Sequence, residues 1–148
     1  MKILYLFLFM LCSYSSFSQD FLLDKRSKIR KKMEQYLTEN KLKYSFRETD
    51  STVSYNVNDS FSLPMTNVFY FNEQNRCIKQ ENIFTCDSCM QLSMKQSLTH
   101  KFINWEKIGE QSYYAGFPYN ALMEQVTGDG RFIVRFTRMK RKTAKKDS

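Results

Sequence analysis

The chain has 148 residues, 42% of them hydrophobic, and a formal net charge of +8. That length suits one domain on a single core. Only one histidine is present, and no P-loop, G-x-S-x-G or H-E-x-x-H pattern occurs. Those catalytic signatures are absent, and a non-enzymatic protein without a cofactor is expected.

The first twenty residues, "MKILYLFLFMLCSYSSFSQD", have the layout of a secretory signal peptide. Lys2 supplies a positive start, Ile3 to Leu11 an apolar run, and Ser16-Phe17-Ser18 a small-x-small cleavage pattern. The run is far shorter than the roughly 20 apolar residues that span a bilayer. Cys12 is a poor lipoprotein acceptor, because the large Leu11 precedes it. Cleavage after Ser18 defines residues 1–18 as leader and leaves a mature chain of 148 − 18 = 130 residues. The expected location is periplasmic or secreted, where disulfides persist. Nucleic acid is then not an expected partner, despite the positive charge.

A helix is predicted from Asp20 or Asp24 to Asn40. Leu22, Ile29, Met33, Tyr36 and Leu37 share one side of it, and Lys25, Lys28, Lys31 and Lys32 the other. A basic amphipathic helix can lie on an anionic membrane surface. The stripe has no Trp or Phe at its centre, which favours packing on the domain's own sheet.

Short alternating runs follow: Tyr44 and Phe46, then Val53, Tyr55 and Val57. A strand with one buried face requires this period of two. Asn58-Asp59-Ser60 marks a turn, and Pro64 an edge or bulge. Val68–Asn72 and Arg76–Thr85 form a predicted hairpin around Glu73-Gln74-Asn75. A second helix is predicted from Ser88 to Asn104, with Met90, Met94, Leu98 and Phe102 as a core stripe. Ala121–Val126 and Arg131–Met139 read as strands joined by Thr127-Gly128-Asp129-Gly130, a hairpin turn chemistry. No sequence repeat is visible.

These elements predict an α+β domain over residues 19–137, with an antiparallel sheet of five to six strands packed by two helices. The expected order is α-β-β-β(-β)-α-β-β. This order resembles that of small secretion-chaperone-like domains, which pair helices with a curved antiparallel sheet. The likeness implies a fold and no function. Residues 138–148, with Arg138, Lys140, Arg141 and Lys142, read as a basic tail.

Cys86 and Cys89 are the natural disulfide pair, since a continuous strand would hold Cys77 too far away. They stand where a strand gives way to a helix, as in thiol–disulfide enzymes. Against redox use, no βαβ unit precedes them, and Asp87 opposes thiolate formation on Cys86. Ser88-x-x-Gln91 also reads as a capping box. Zinc is not expected, because His100 and Cys77 are too remote to complete a ligand set.

"SYYAGFPYNAL" gathers Tyr113, Tyr114, Phe117 and Tyr119 around Gly116 and Pro118. Such a loop either closes the core or forms a binding edge. It is the candidate binding site of an exported interaction module. Its expected partner is a protein or an anionic envelope component, with peripheral membrane contact as one form. The alternative is a thiol–disulfide protein using Cys86 and Cys89.

Overall fold

The computed structural model describes residues 21–59 and 64–139. The expected leader, Ser60 of the predicted turn, and Lys140, Arg141 and Lys142 lie outside them. The helix α1 spans Arg26–Glu39 and is followed by β1 (Tyr44–Glu48), β2 (Thr52–Val57), β3 (Met65–Phe71) and β4 (Cys77–Phe84). Then come α2 (Asp87–Leu98), β5 (Trp105–Lys107), β6 (Ser112–Ala115), β7 (Ala121–Gly128) and β8 (Arg131–Arg138). The eight strands form one antiparallel sheet in the order β1-β2-β3-β4-β8-β7-β6-β5. Mixed α+β architecture is thus as expected, while the strand count and the order after α2 are not.

The two strands missing from the expectation are β5 and β6. The first is too short, as Trp-Glu-Lys, to display a period of two. The second, Ser-Tyr-Tyr-Ala, has no apolar–polar alternation and reads as an aromatic loop. β7 templates β6, and β6 in turn templates β5: Tyr113 pairs with Met123, Ala115 with Ala121, and Trp105 with Ala115. The full order is one α-β-β-β-β unit followed by another. The fourth strands of the two units, β4 and β8, pair at the centre of the sheet.

Residues directly opposite one another in adjacent strands share a face. Gln80 faces Phe69 on one side and Phe136 on the other. Phe69 belongs to the cluster under α1, with Ile29, Met33 and Leu37. Phe136 belongs to the cluster around Met90 and Met94 of α2. Both helices therefore cover the same face, and Leu22 packs against both clusters. The apolar stripe of α1 lies on its own sheet, as its composition suggested. Buried Asn67, Gln80 and Asn82 lie across β3 and β4 on this face, and the Gln80 amide donates to Asn82 Oδ1 at 2.9 Å.

The second helix stops six residues before its predicted end. The Thr99 hydroxyl donates to the carbonyls of Lys95 and Gln96 and closes the last turn. Phe102 consequently leaves the core stripe and stands 80% exposed. At the other end, the helix starts one residue before the predicted Ser88. Cys86 is its N-cap, and the sulfur accepts from the Cys89 N–H at 3.1 Å. The Ser88–Gln91 capping box does not form.

Candidate functional site

The segment before α1 is tied to the start of β4. Leu23 N–H donates to the Cys77 carbonyl at 2.8 Å, and Cys77 N–H donates to the Asp24 carbonyl at 3.0 Å. This fixes Leu22 and Leu23 over one end of the helix-covered face, where they line a cavity of about 140 Å³. Ala121 and Phe136 form its sheet side, and Ile103 and Trp105 come from the chain entering β5. The β6–β7 connection contributes Pro118 and Tyr119, and Arg138 ends β8 beside them.

The β6–β7 connection is strongly specified. Its Phe117–Pro118 peptide is cis, and Asn120 sits in the left-handed region at φ 43. Asn120 N–H donates to the Gly116 carbonyl at 2.9 Å, and the Tyr114 hydroxyl is within hydrogen-bonding distance of Asn120 Oδ1 at 3.3 Å. The Arg138 guanidinium donates to the Tyr119 and Pro118 carbonyls, which anchors the loop to the last residue of β8. Phe117 at the loop tip is 79% exposed.

The four aromatic residues expected to make one edge are separated by the strand they partly occupy. Tyr113 packs on the α2 cluster. Tyr114, its neighbour in β6, points to the opposite face by the pleat. Phe117 stays at the surface, and Tyr119 lines the cavity. Trp105 was not singled out as a site residue by sequence reasoning, although it is the sole tryptophan. Its indole N–H is buried and has no partner among the described residues, while its ring packs against Phe136 with centroids 6.3 Å apart.

The basic helix face is less positive than its lysines imply. Lys28 and Lys32 both pair with Asp24, at 2.7 and 3.1 Å. Arg26 and Arg30 reach Glu48, at 3.2 and 3.1 Å. Lys25 and Lys31 remain exposed. Arg138, assigned to the tail from sequence, is a strand residue with its guanidinium engaged. The chain continues from Met139 into Lys140, Arg141 and Lys142, which lie outside the described residues.

Cys86 and Cys89 are joined as a disulfide with Cα atoms 5.3 Å apart. Cys89 is buried and Cys86 partly exposed. Cys77 is buried in the α1 cluster, and burial pushes its thiol up to about 12. On the helix-free face, Glu81 accepts from the Tyr70 hydroxyl at 2.7 Å and from Arg135 Nε at 2.8 Å. Burial raises this carboxyl, but those hydrogen bonds and the Lys79 and Arg135 charges outweigh it and hold it below its ordinary value. The same site raises the Tyr70 hydroxyl to about 12, by burial first and then by Glu81.

Among the described residues no group of three His, Cys, Asp or Glu is placed to hold a metal ion. No helix among them is long and apolar enough to cross a membrane. Compared with protein-family models, curated proteins and solved structures, the chain matches none.

Proposed function

We propose that the protein is a small exported, non-enzymatic module that docks on a component of the cell envelope through the cavity end of its sheet. The observation that carries this reading is a convergence. The cavity is lined by Ile103, Pro118 and Arg138, the exposed Phe102 and Phe117 directly precede the first two in the chain, and Arg138 leads in sequence toward the basic C-terminal residues. Exposed aromatic rings supply contact area at little entropic cost. A cluster of Lys and Arg contributes about 1 kcal/mol per residue near an anionic surface. Export itself is supported by the leader pattern and by the disulfide.

The test is co-sedimentation of the purified protein with envelopes of the cells that make it. Neutralising the tail as Lys140→Gln, Arg141→Gln and Lys142→Gln should weaken pelleting by at least about tenfold. Phe117→Ala should weaken it further. Undiminished pelleting of the combined variant would refute the reading.

A second reading is favoured by one specific feature, the placement of the sulfurs. Cys86 is the more exposed, and its Sγ receives the Cys89 N–H and lies 3.4 Å from the Ser88 hydroxyl. In the reduced protein, a Cys86 thiolate would attack a partner disulfide and release one thiolate. Cys89 would then resolve the mixed disulfide, so that this pair is oxidised and the partner reduced. Titration against graded glutathione separates the readings: a bond that resists the buffer is a structural staple.

A further inference from the structure

We infer that the outer edge of β1 pairs with β1 of a second copy of this chain, giving a two-fold dimer with one continuous sheet. This pairing goes beyond the docking reading above and does not depend on what the cavity end binds. Among the described residues β1 is a terminal strand of the sheet, and all 5 of its residues are exposed. Thr49 N–H donates to the Thr52 carbonyl at 2.9 Å, and Asn58 N–H donates to the Lys43 carbonyl at 3.2 Å. By the antiparallel alternation, Ser45 and Arg47 between them bond to β2. Tyr44, Phe46 and Glu48 therefore direct their N–H and C=O groups away from β2. Such an open row is a template for another strand.

The side chains at this edge belong to an aromatic cluster that ends in the open. Buried Tyr55 meets Phe69 on its inner side, with ring centroids 6.5 Å apart. On its outer side it meets Phe46 at 5.2 Å and Tyr44 at 6.0 Å. Phe46 and Tyr44 nonetheless stay 40% and 39% exposed. A strand added at the edge would continue the cluster over the seam. The Arg30 guanidinium lies over the Phe46 ring at 5.0 Å, and it is already paired with Glu34 and Glu48.

Self-complementarity selects a second copy as the occupant, and charge selects one register. With the two-fold axis at Phe46, Phe46 of one copy faces Phe46 of the other, Tyr44 faces Glu48 and Ser45 faces Arg47. This register pairs the whole strand and sets no like charges directly opposite. Sliding by two residues places Arg47 against Arg47 in one direction and against Lys43 in the other, which is unfavourable. A slide of one residue sets outward groups against those already bonded to β2. At the far edge of the sheet β5 has only 3 residues, so a head-to-tail β1–β5 contact offers a shorter ladder. The β1 seam is itself small, and the dimer it makes is weak and reversible.

The experiment is sedimentation equilibrium of the chain recovered from the cells that make it, at concentrations up to about 1 mM. Wild type should pass reversibly between monomer and dimer. Ser45→Glu sets a carboxylate opposite Arg47 on both sides of the axis and should tighten the dimer about twofold to thirtyfold. Ser45→Arg sets arginine against arginine and should loosen it by a similar factor. Phe46→Pro removes a central N–H that makes no bond to β2, and it should abolish the dimer. Thermal unfolding of each variant at low concentration verifies that the fold is kept. A chain that stays monomeric throughout would overturn the proposal. A dimer that both Ser45 variants shift in the same direction, or leave unchanged, would overturn it as well. Open-ended growth beyond the dimer would do the same.

Discussion

Glu81 is the one charged side chain buried among the described residues, 6% exposed yet contacted by Tyr70, Lys79 and Arg135. Its folded pKa lies below its ordinary value, so it stabilises the protein fully above the unfolded carboxyl pKa of about 4.3. Below that pH the unfolded chain binds the extra proton first, and the contribution fades as pH falls through the folded value. Glu81→Gln should cost about 2 kcal/mol at neutral pH, moderated by the partial exposure of Lys79 and Arg135. Urea unfolding should show wild type and variant converging as the pH falls below 4; a constant difference would refute this account. Cys77 offers a second residue-level check. With its thiol raised to about 12 and its side chain in the core, it should escape iodoacetamide in the native protein at pH 8. It should react once guanidinium unfolds the chain.

At the scale of elements, two short connections hold the second unit in register. The β7–β8 turn places Asp129 and Gly130 at φ 51 and 69 between the paired Gly128 and Arg131. Two positive φ values in a two-residue hairpin favour Asp-Gly, and the sequence supplies it. Gly130→Ala meets no steric neighbour, so its expected cost of about 1 kcal/mol is the backbone conformation alone. Thermal or urea unfolding measures it. At the β4–α2 corner, the disulfide closes a very small loop. Its contribution in the chain-entropy treatment is about 2 kcal/mol, and Cys86→Ser with Cys89→Ala should lose no more than roughly that, since serine can still cap the helix. A loss of fold would show that the corner carries far more than loop entropy. The turn and the cysteine pair were legible because their chemistry is local. The early stop of α2 was not, because Thr99 can continue or end a helix, and only its hydroxyl bonds to Lys95 and Gln96 decide.

On the scale of the whole molecule, two α-β-β-β-β units meet at β4 and β8 and send both helices to one face. The cavity forms where the segment before α1 in the first unit crosses the β5–β8 end of the second. Residues from positions 22 to 138 meet there, so no local pattern announces it. The amino-acid sequence by itself determined the mixed α+β class, the amphipathic face of α1, the alternation of β2 (though not the buried face expected of Tyr44 and Phe46, since the edge strand β1 is exposed throughout), the hairpin turns and the proximity of Cys86 to Cys89. Each follows from periodicity or from neighbours a few residues apart. Only the tertiary structure decided that β5 and β6 are strands, since each depends on a partner already in place. Only it decided that Phe102 faces outward, that Tyr113 turns inward, and that Trp105 buries an indole N–H with no partner among the described residues. Those outcomes depend on contacts between distant segments, whose geometry sequence spacing does not encode.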